Sequence, residues 1–180
     1  MGTKKNSLPG KISKPLVQMW ISDLASSMES ERLKARLSLI REGEAAVPGL
    51  IQVLSTGNQH ARWEAARALA VIKDSSAAAA LVSALEDEDH DVRWAAMKAL
   101  IGLNRDGLEP LLQALIRDFD SVWLREGAHH ILNVLKKQEK LRQPSLHVLQ
   151  ALEGLEPEVA VPWAAETAWE SLFGPGKEQQ

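Results

Sequence analysis

Two pairs of side chains with the same spacing are the strongest candidates for chemistry in this chain. Trp63 stands four residues before Arg67, and Trp94 stands four residues before Lys98. Residues four apart lie on one face of an α-helix, so each pair would place an aromatic ring beside a cation. Trp and Arg are enriched where proteins bind one another. The chemistry that this pattern predicts is binding rather than catalysis.

An acidic run just before Trp94 is a candidate calcium loop that fails on spacing. Asp87, Asp89 and Asp91 match the start of such a loop. Val92 stands where the loop needs its sharp-turn glycine, and Lys98 stands where it needs its bidentate glutamate. We therefore interpret the run as a polar turn that caps a helix.

The sequence contains no other candidate residues for catalysis, metal binding or cofactor binding. His129 and His130 are adjacent, so on a helix they point about 100° apart and cannot jointly face one metal. The sequence has no Cys, no glycine-rich phosphate loop and no Gly-x-Ser-x-Gly. We therefore predict no catalytic residue, no metal ligand and no cofactor, and favour a protein that is not an enzyme.

The elements that would position the Trp and cation pairs recur along the chain. The pattern Arg-x-x-Ala-x-x-x-Leu occurs four times, beginning at Arg32, Arg62, Arg93 and Arg125. Between these copies lies a second pattern, Leu-apolar-x-x-Leu, beginning at Leu50, Leu81 and Leu111. Both have the spacing of a helical face, so each unit of about 31 residues is predicted to be a helical hairpin. A weaker fifth copy surrounds Trp163 and Trp169.

Residues 81–100, LVSALEDEDHDVRWAAMKAL, resemble the HEAT-repeat family, in particular its short bacterial, phycobilin-lyase-like variety. The resemblance covers residues 27–140 closely and residues 141–173 loosely. It implies an all-α fold, a right-handed α-solenoid of about five HEAT-like hairpins. It also implies that Asp91 and Arg93 form a structural ladder between neighbouring units, together with Arg32, Arg62 and Arg125.

Helical phase separates the core from the surface in the second helix of each unit. Around Trp94 the predicted core stripe comprises Val92, Ala95, Ala96, Ala99 and Leu103. Trp94, Lys98 and Ile101 fall on the opposite side. Carried across the units, these three positions give three rows: Leu33, Trp63, Trp94, Glu126 and Trp163; Leu37, Arg67, Lys98 and His130; Ile40, Ala70, Ile101 and Asn133.

The predicted binding residues come from these rows, and the second helix of each unit usually lines the concave side of a solenoid. The predicted set is Trp63, Arg67, Trp94, Lys98, Ile101 and His130. Three interpretations of this surface stay open. The indoles form a groove for a protein partner, they lie flat along neighbouring helices beneath the stems of Arg67 and Lys98, or they line a pocket for a small molecule or chromophore.

The function that we predict is a non-enzymatic adaptor that binds an acidic or amphipathic segment of a partner protein. One alternative, implied by the resemblance, is the binding or attachment of an open-chain tetrapyrrole (bilin), with Arg67 or Lys98 holding its propionates. A second alternative is a DNA-binding array in which Arg36, Arg41, Arg67 and Lys98 follow the phosphates. The net charge of -3 disfavours nucleic acid as a partner.

The remaining expectations concern the ends of the chain and its location. We expect a flexible basic arm over residues 1–15, the repeat domain over residues 16–173 and a disordered tail over residues 174–180. Apolar stretches are interrupted by charge well short of a bilayer span, so we expect a cytoplasmic protein without membrane association. Trp20, Trp123 and Trp169 are expected to be core or cap residues.

Overall fold

The computed structural model describes residues 14–175, and within that range the backbone forms ten α-helices. Their bounds are α1 Lys14–Asp23, α2 Glu29–Glu42, α3 Val47–Thr56, α4 Gln59–Ile72, α5 Ala78–Ser83, α6 His90–Leu103, α7 Arg105–Arg117, α8 Val122–Lys137, α9 Ser145–Leu152 and α10 Pro157–Phe173. Short 3-10 turns occupy Gly43–Ala46, Ser75–Ala77 and Ala84–Glu86. The predicted all-α class is confirmed.

The helices pair into hairpins that stack in two layers. α1 packs against α2, α3 against α4, α5 against α6 and α7 against α8. The second helices of these hairpins, α2, α4, α6 and α8, pack one against the next and form the second-helix layer. The first helices, α1, α3, α5 and α7, form the first-helix layer in the same way. This stacking is consistent with the α-solenoid that the repeat pattern predicts.

Polar residues in the turns start the helices of the second-helix layer. The side chain of Asn58 accepts a hydrogen bond from the backbone N–H of Ala61, and Ser121 accepts one from Leu124. Asp89 accepts from two backbone N–H groups at the start of α6. Each cap satisfies donors that the first turn of a helix leaves unpaired. The acidic run before Trp94 is thus a capped turn, as its sequence predicted.

The repeated Ala and Leu positions form the core. The Ala of each motif copy is buried, and so is the Leu four residues later; these residues are Ala35, Leu39, Ala65, Leu69, Ala96, Leu100, Ala128 and Leu132. Alanine lets neighbouring helices approach closely, while leucine fills the space between the layers. The predicted core stripe of α6 is confirmed, since all five of its residues are buried.

The last hairpin exchanges the two layers. α9 packs against α8, whereas α10 packs against α7 and so continues the first-helix layer. Arg105 joins α7 to the end of α10, because its Nη2 donates to the carbonyl of Leu172 at 3.4 Å. The link before α9, residues 138–144, is the longest between hairpins in the described residues, and it brings α9 beside α8. The placement of Trp163 in the same row as Trp94 is therefore wrong.

The predicted domain boundaries fall close to the limits of the described residues. α1 begins at Lys14, two residues before the predicted start of the repeat domain, and α10 ends at Phe173. Most of the predicted arm and tail, namely residues 1–13 and 176–180, lies outside the described residues. Among the helices between residues 14 and 175, none has the length and apolar character needed to cross a bilayer.

Candidate functional site

The two Trp and cation pairs come together on neighbouring helices of the second-helix layer. Trp63 and Arg67 lie on α4, Trp94 and Lys98 lie on α6, and α4 packs directly against α6. These four side chains, together with Ala70 and Ala95, line a cavity of about 390 Å³. We call this cavity and the four side chains the Trp groove. A repeat of 31 residues has brought two matching pairs side by side.

Arg67 is held in place from two directions. Its guanidinium carbon lies 4.3 Å from the centre of the Trp63 ring, which is a cation-π distance. Its Nη1 also lies 3.5 Å from Oε2 of Glu64, one turn earlier on the same helix. The Trp63 ring is half-buried and packs against the core. Trp63 and Glu64 thus orient a guanidinium toward the groove.

The second pair is more open to solvent. The Trp94 side chain is 39% exposed, and Nζ of the exposed Lys98 lies 5.6 Å from its ring centre. The ring of His130, on α8, lies 5.0 Å from the Trp94 ring at an interplanar angle of 54°. Because His130 contacts Trp94, the aromatic surface extends from α4 across α6 to α8.

A buried carboxylate lies beneath the groove. Glu64 is only 2% exposed, and its Oε2 accepts a hydrogen bond of 2.9 Å from Nη1 of Arg36 on α2. Burial lowers the pKa of the Arg36 guanidinium below its ordinary value, while the charge of Glu64 acts in the opposite direction. Arg36 and Arg67 both contact this carboxylate, and Lys98 lines the same groove. These four side chains together carry more positive than negative charge.

The structure brings together five of the six predicted binding residues. Trp63, Arg67, Trp94 and Lys98 line the groove, and His130 contacts it through Trp94. Ile101 does not line the cavity, and it is half-buried against the core. The groove combines features of the packing interpretation and of the partner-groove interpretation. Cations cover the indoles, as the packing interpretation expects, and Trp94 retains an exposed surface, as the groove interpretation requires.

Two other tryptophans pack as cap residues, but Trp123 does not. Trp20 and Trp169 are partly buried against the core. Trp123, at the start of α8, is 44% exposed, so its expected place in the core is wrong. Its ring lies 4.5 Å from the guanidinium carbon of Arg93. The signal that sequence analysis missed is its position in the first turn of a helix, next to the exposed Val122.

The four motif arginines make the same contact with the turn that precedes them. Each donates from Nη1 to a backbone carbonyl five or six residues earlier: Arg32 to Ser26 at 2.8 Å, Arg62 to Gly57 at 3.1 Å, Arg93 to Asp87 at 2.7 Å and Arg125 to Phe119 at 2.6 Å. A guanidinium has several donors in a fixed plane, so one side chain can hold a turn and still reach further. Three of the four extend into the next hairpin.

The partner in the next hairpin differs from copy to copy. Arg62 makes a two-point contact with the carboxylate of Asp87, with distances of 2.7 and 2.9 Å. Arg93 lies over the ring of Trp123, and Arg125 donates to Glu158 at 3.1 Å. The hydrogen bonds to Asp87 raise the pKa of Arg62 above its ordinary value. These arginines connect neighbouring units, which is a structural role.

Asp91 does not stand where the resemblance placed it. α6 begins at His90, so Asp91 lies inside its first turn, with an exposed side chain 3.6 Å from His90. Between the α3–α4 hairpin and the α5–α6 hairpin, the carboxylate that accepts hydrogen bonds from a motif arginine is that of Asp87, in the turn four residues earlier. The physical reason is that Asp89 caps α6, which leaves Asp87 on the side that faces Arg62.

We expect Asp87→Ala to lower the free energy of unfolding by about 2 kcal/mol, because two charge-assisted hydrogen bonds to a largely buried arginine are lost. The matched control is Asp91→Ala, which removes only a favourable charge near a helix N-terminus and costs less than about 1 kcal/mol. Urea unfolding followed by circular dichroism measures both values. An equal or greater loss for Asp91→Ala would contradict this assignment of the ladder.

Arg36 and Glu64 are the residues at this site that sequence analysis missed as a pair. The sequence predicts Arg36 only as a phosphate contact of the DNA-binding alternative and does not single out Glu64. A signal was present in the repeat alignment. Glu64 takes a position that is Ala95 in the next unit, and Arg36 takes one that is Ala66. Opposite charges at two positions that are both Ala in a neighbouring unit indicate an ion pair between the helices.

Comparison with known protein families gives a match in the part of the chain that contains the Trp groove. None of the curated protein sequences gives a significant match. A family model described as HEAT repeats matches residues 47–133, which run from the start of α3 into α8 and include the whole Trp groove. The match is to HEAT repeats in general, so the phycobilin-lyase-like variety stays a prediction. The similarity to HEAT repeats thus covers most of the three hairpins from α3 to α8.

Proposed function

We propose that this protein is a non-enzymatic scaffold that holds an acidic or amphipathic segment of a partner protein in the Trp groove. One observation carries the proposal: two Trp rings on adjacent helices, each beside a cation, line a single cavity of about 390 Å³. HEAT repeats are commonly protein-interaction scaffolds, and the groove lies within the residues that match this family.

The chemistry of the groove favours an acidic ligand with apolar side chains. Trp63 and Trp94 supply rigid apolar surface at low cost in conformational entropy. Arg67 is already oriented by its contacts with Trp63 and Glu64, so little rotational freedom is lost when its remaining donors meet a carboxylate. Lys98 is exposed and supplies a second cation on the neighbouring helix. A segment with carboxylates and apolar residues on one face would match both features.

The test uses a synthetic amphipathic peptide with leucines on one face and glutamates beside them. We expect calorimetric titration to show binding that weakens as salt is added, and no binding of the same peptide with its glutamates changed to lysine. Trp94→Ala should weaken binding about 30-fold, or about 2 kcal/mol, as expected of an interface hot spot. Trp123→Ala is the matched control, because it removes an equally exposed Trp outside the groove.

Stability measurements separate binding from packing. Trp94 is partly exposed, so Trp94→Ala should leave the melting temperature close to that of the unmodified protein. A loss of about 3 to 5 kcal/mol in the free energy of unfolding would show instead that Trp94 serves the core. Equal binding of the acidic and the basic peptide would contradict the proposed function directly.

A further inference from the structure

The last helix carries an exposed apolar and acidic surface. Val159 and Trp163, one turn apart on α10, are 71% and 72% exposed, and Leu155 in the preceding turn is fully exposed. At 100° per residue, Glu166 and Glu170 fall on the same face of α10 as Val159 and Trp163, and both are exposed. We call these five residues the α10 stripe.

The α10 stripe is unusual in how much apolar surface it leaves in water. A single exposed apolar residue is ordinary, but two large ones one turn apart on the same helical face, with a third in the turn just before the helix, indicate an interaction site. The buried face of the same helix is formed by Val161, Ala164, Ala165 and Ala168. α10 therefore uses one face for packing against α7 and α9 and presents the other, apolar near its start and acidic further along, to solvent.

The chemistry of the α10 stripe is complementary to that of the Trp groove. Trp163 and Val159 match the apolar surface of the two indoles, while Glu166 and Glu170 match Arg67 and Lys98. We propose that the groove of one copy of this chain receives the α10 stripe of a second copy. This inference rests on the proposed function, since it names the acidic amphipathic segment that the groove binds.

The fold requires such a contact to join different molecules. The groove lies between α4 and α6 in the second-helix layer, whereas α10 continues the first-helix layer beyond α7. The stripe of a chain thus cannot fill the groove of the same chain. A symmetric antiparallel contact between two stripes is also disfavoured, because it would place Glu166 and Glu170 of one copy against the apolar start of the other without a cation to pair with them. The contact that remains is head-to-tail, and it uses two different surfaces.

Mixing two different variants distinguishes head-to-tail association from symmetric association. Sedimentation velocity over a range of protein concentrations should show a mass that rises above the 19.8 kDa of one chain. Trp94→Ala disables the groove and Trp163→Glu disables the stripe, so each variant alone should remain a monomer. A mixture of the two retains one intact groove and one intact stripe, and should form a 1:1 dimer and nothing larger. Trp123→Ala should assemble like the unmodified protein.

Charge reversal provides a second pair of variants that leaves the aromatic residues intact. Lys98→Glu and Glu166→Lys/Glu170→Lys should each prevent self-association, because all three positions are exposed and now carry the wrong charge. Their mixture should associate again, because the Lys98→Glu chain keeps an intact stripe and the Glu166→Lys/Glu170→Lys chain keeps an intact groove. The two reversed surfaces are also complementary to each other. Circular dichroism is expected to show unchanged helix content in every variant.

Three outcomes would overturn the inference. The first is an unmodified protein that stays at 19.8 kDa at all concentrations. The second is self-association of Trp94→Ala alone, which indicates a symmetric contact through α10. The third is a mixture of complementary variants that remains monomeric. The peptide titration keeps the two proposals distinct: a monomeric chain whose groove binds the acidic peptide refutes self-association and leaves the proposed function standing.

Discussion

Replacing Glu64 with alanine should lower the free energy of unfolding by about 3 kcal/mol. Glu64 is almost completely buried and accepts a hydrogen bond from Arg36, whose side chain is also largely buried. Removing the carboxylate leaves a guanidinium in a poorly solvated site without a counter-charge, and that loss is far larger than the value of a surface ion pair. Chemical denaturation followed by circular dichroism measures the change.

Two further variants identify the cause of this loss. Glu64→Gln keeps the size of the side chain and removes its charge, so it should still cost about 2 kcal/mol. Arg36→Met/Glu64→Leu replaces the whole pair with apolar side chains of similar size and should recover most of the stability. If the double variant is less stable than Glu64→Ala, the uncompensated charge of Arg36 is not the cause of the loss.

The repeat period was sufficient to predict the helices and the core. Arg62, Arg93 and Arg125 all lie three residues after the start of a second helix, and the Ala and Leu that follow them are all buried. This worked because the period of an α-helix fixes which residues share a face, and a repeated unit shows the same face several times. The neighbouring positions of Trp63 and Trp94 on adjacent helices followed from the same register.

The layer that each helix occupies was not predictable in the last hairpin. The sequence around Trp163 and Trp169 forms a helix, as its similarity to the earlier copies predicted. Its packing against α7 depends on the connection after α8 and on contacts between residues far apart in the chain. Local periodicity does not predict such contacts. The apolar face of a helix can be buried equally well in either layer.

The exposure of the tryptophans also could not be predicted from helical phase alone. Trp63 and Trp94 have the same position in their units, but Trp63 is half-buried whereas Trp94 is exposed. The difference arises from their neighbours: Arg67 lies at 4.3 Å over one ring, while Lys98 lies further from the other. A phase angle indicates the direction of a side chain, whereas its burial depends on the length and charge of the side chains around it.

One repeat position explains both Glu64 and the most crowded glycine of the second-helix layer. Two residues after the motif arginine, successive units have Lys34, Glu64, Ala95 and Gly127. From this position Glu64 reaches back to Arg36 in the preceding hairpin, and Gly127 faces Leu85 in the preceding hairpin. Where a second helix packs against the preceding hairpin, this position thus needs either a small residue or a charged residue with an ion-pair partner. The space available at the position differs from unit to unit.

Gly127→Leu should lower the free energy of unfolding by about 3 kcal/mol through overpacking. A Cβ atom at Gly127 would already lie 3.3 Å from Cδ2 and 3.4 Å from Cδ1 of Leu85, which is itself buried. Three further carbons have no space unless α8 moves away from the turn at Ala84–Glu86. Urea unfolding under the same conditions as for Glu64→Ala gives a direct comparison between excess volume and unpaired charge at one repeat position.

Gly127→Ala is the matched control, and it should change stability by less than about 1 kcal/mol, because slight crowding is offset by the higher helix propensity of alanine. Leu85→Ala in the Gly127→Leu background should restore part of the loss, although Leu85→Ala alone leaves a cavity and costs about 3 kcal/mol. A favourable coupling energy above about 1 kcal/mol in this double-mutant cycle would establish the contact between the two positions. Simple addition of the two losses would show that leucine at position 127 disturbs α8 for a reason other than Leu85.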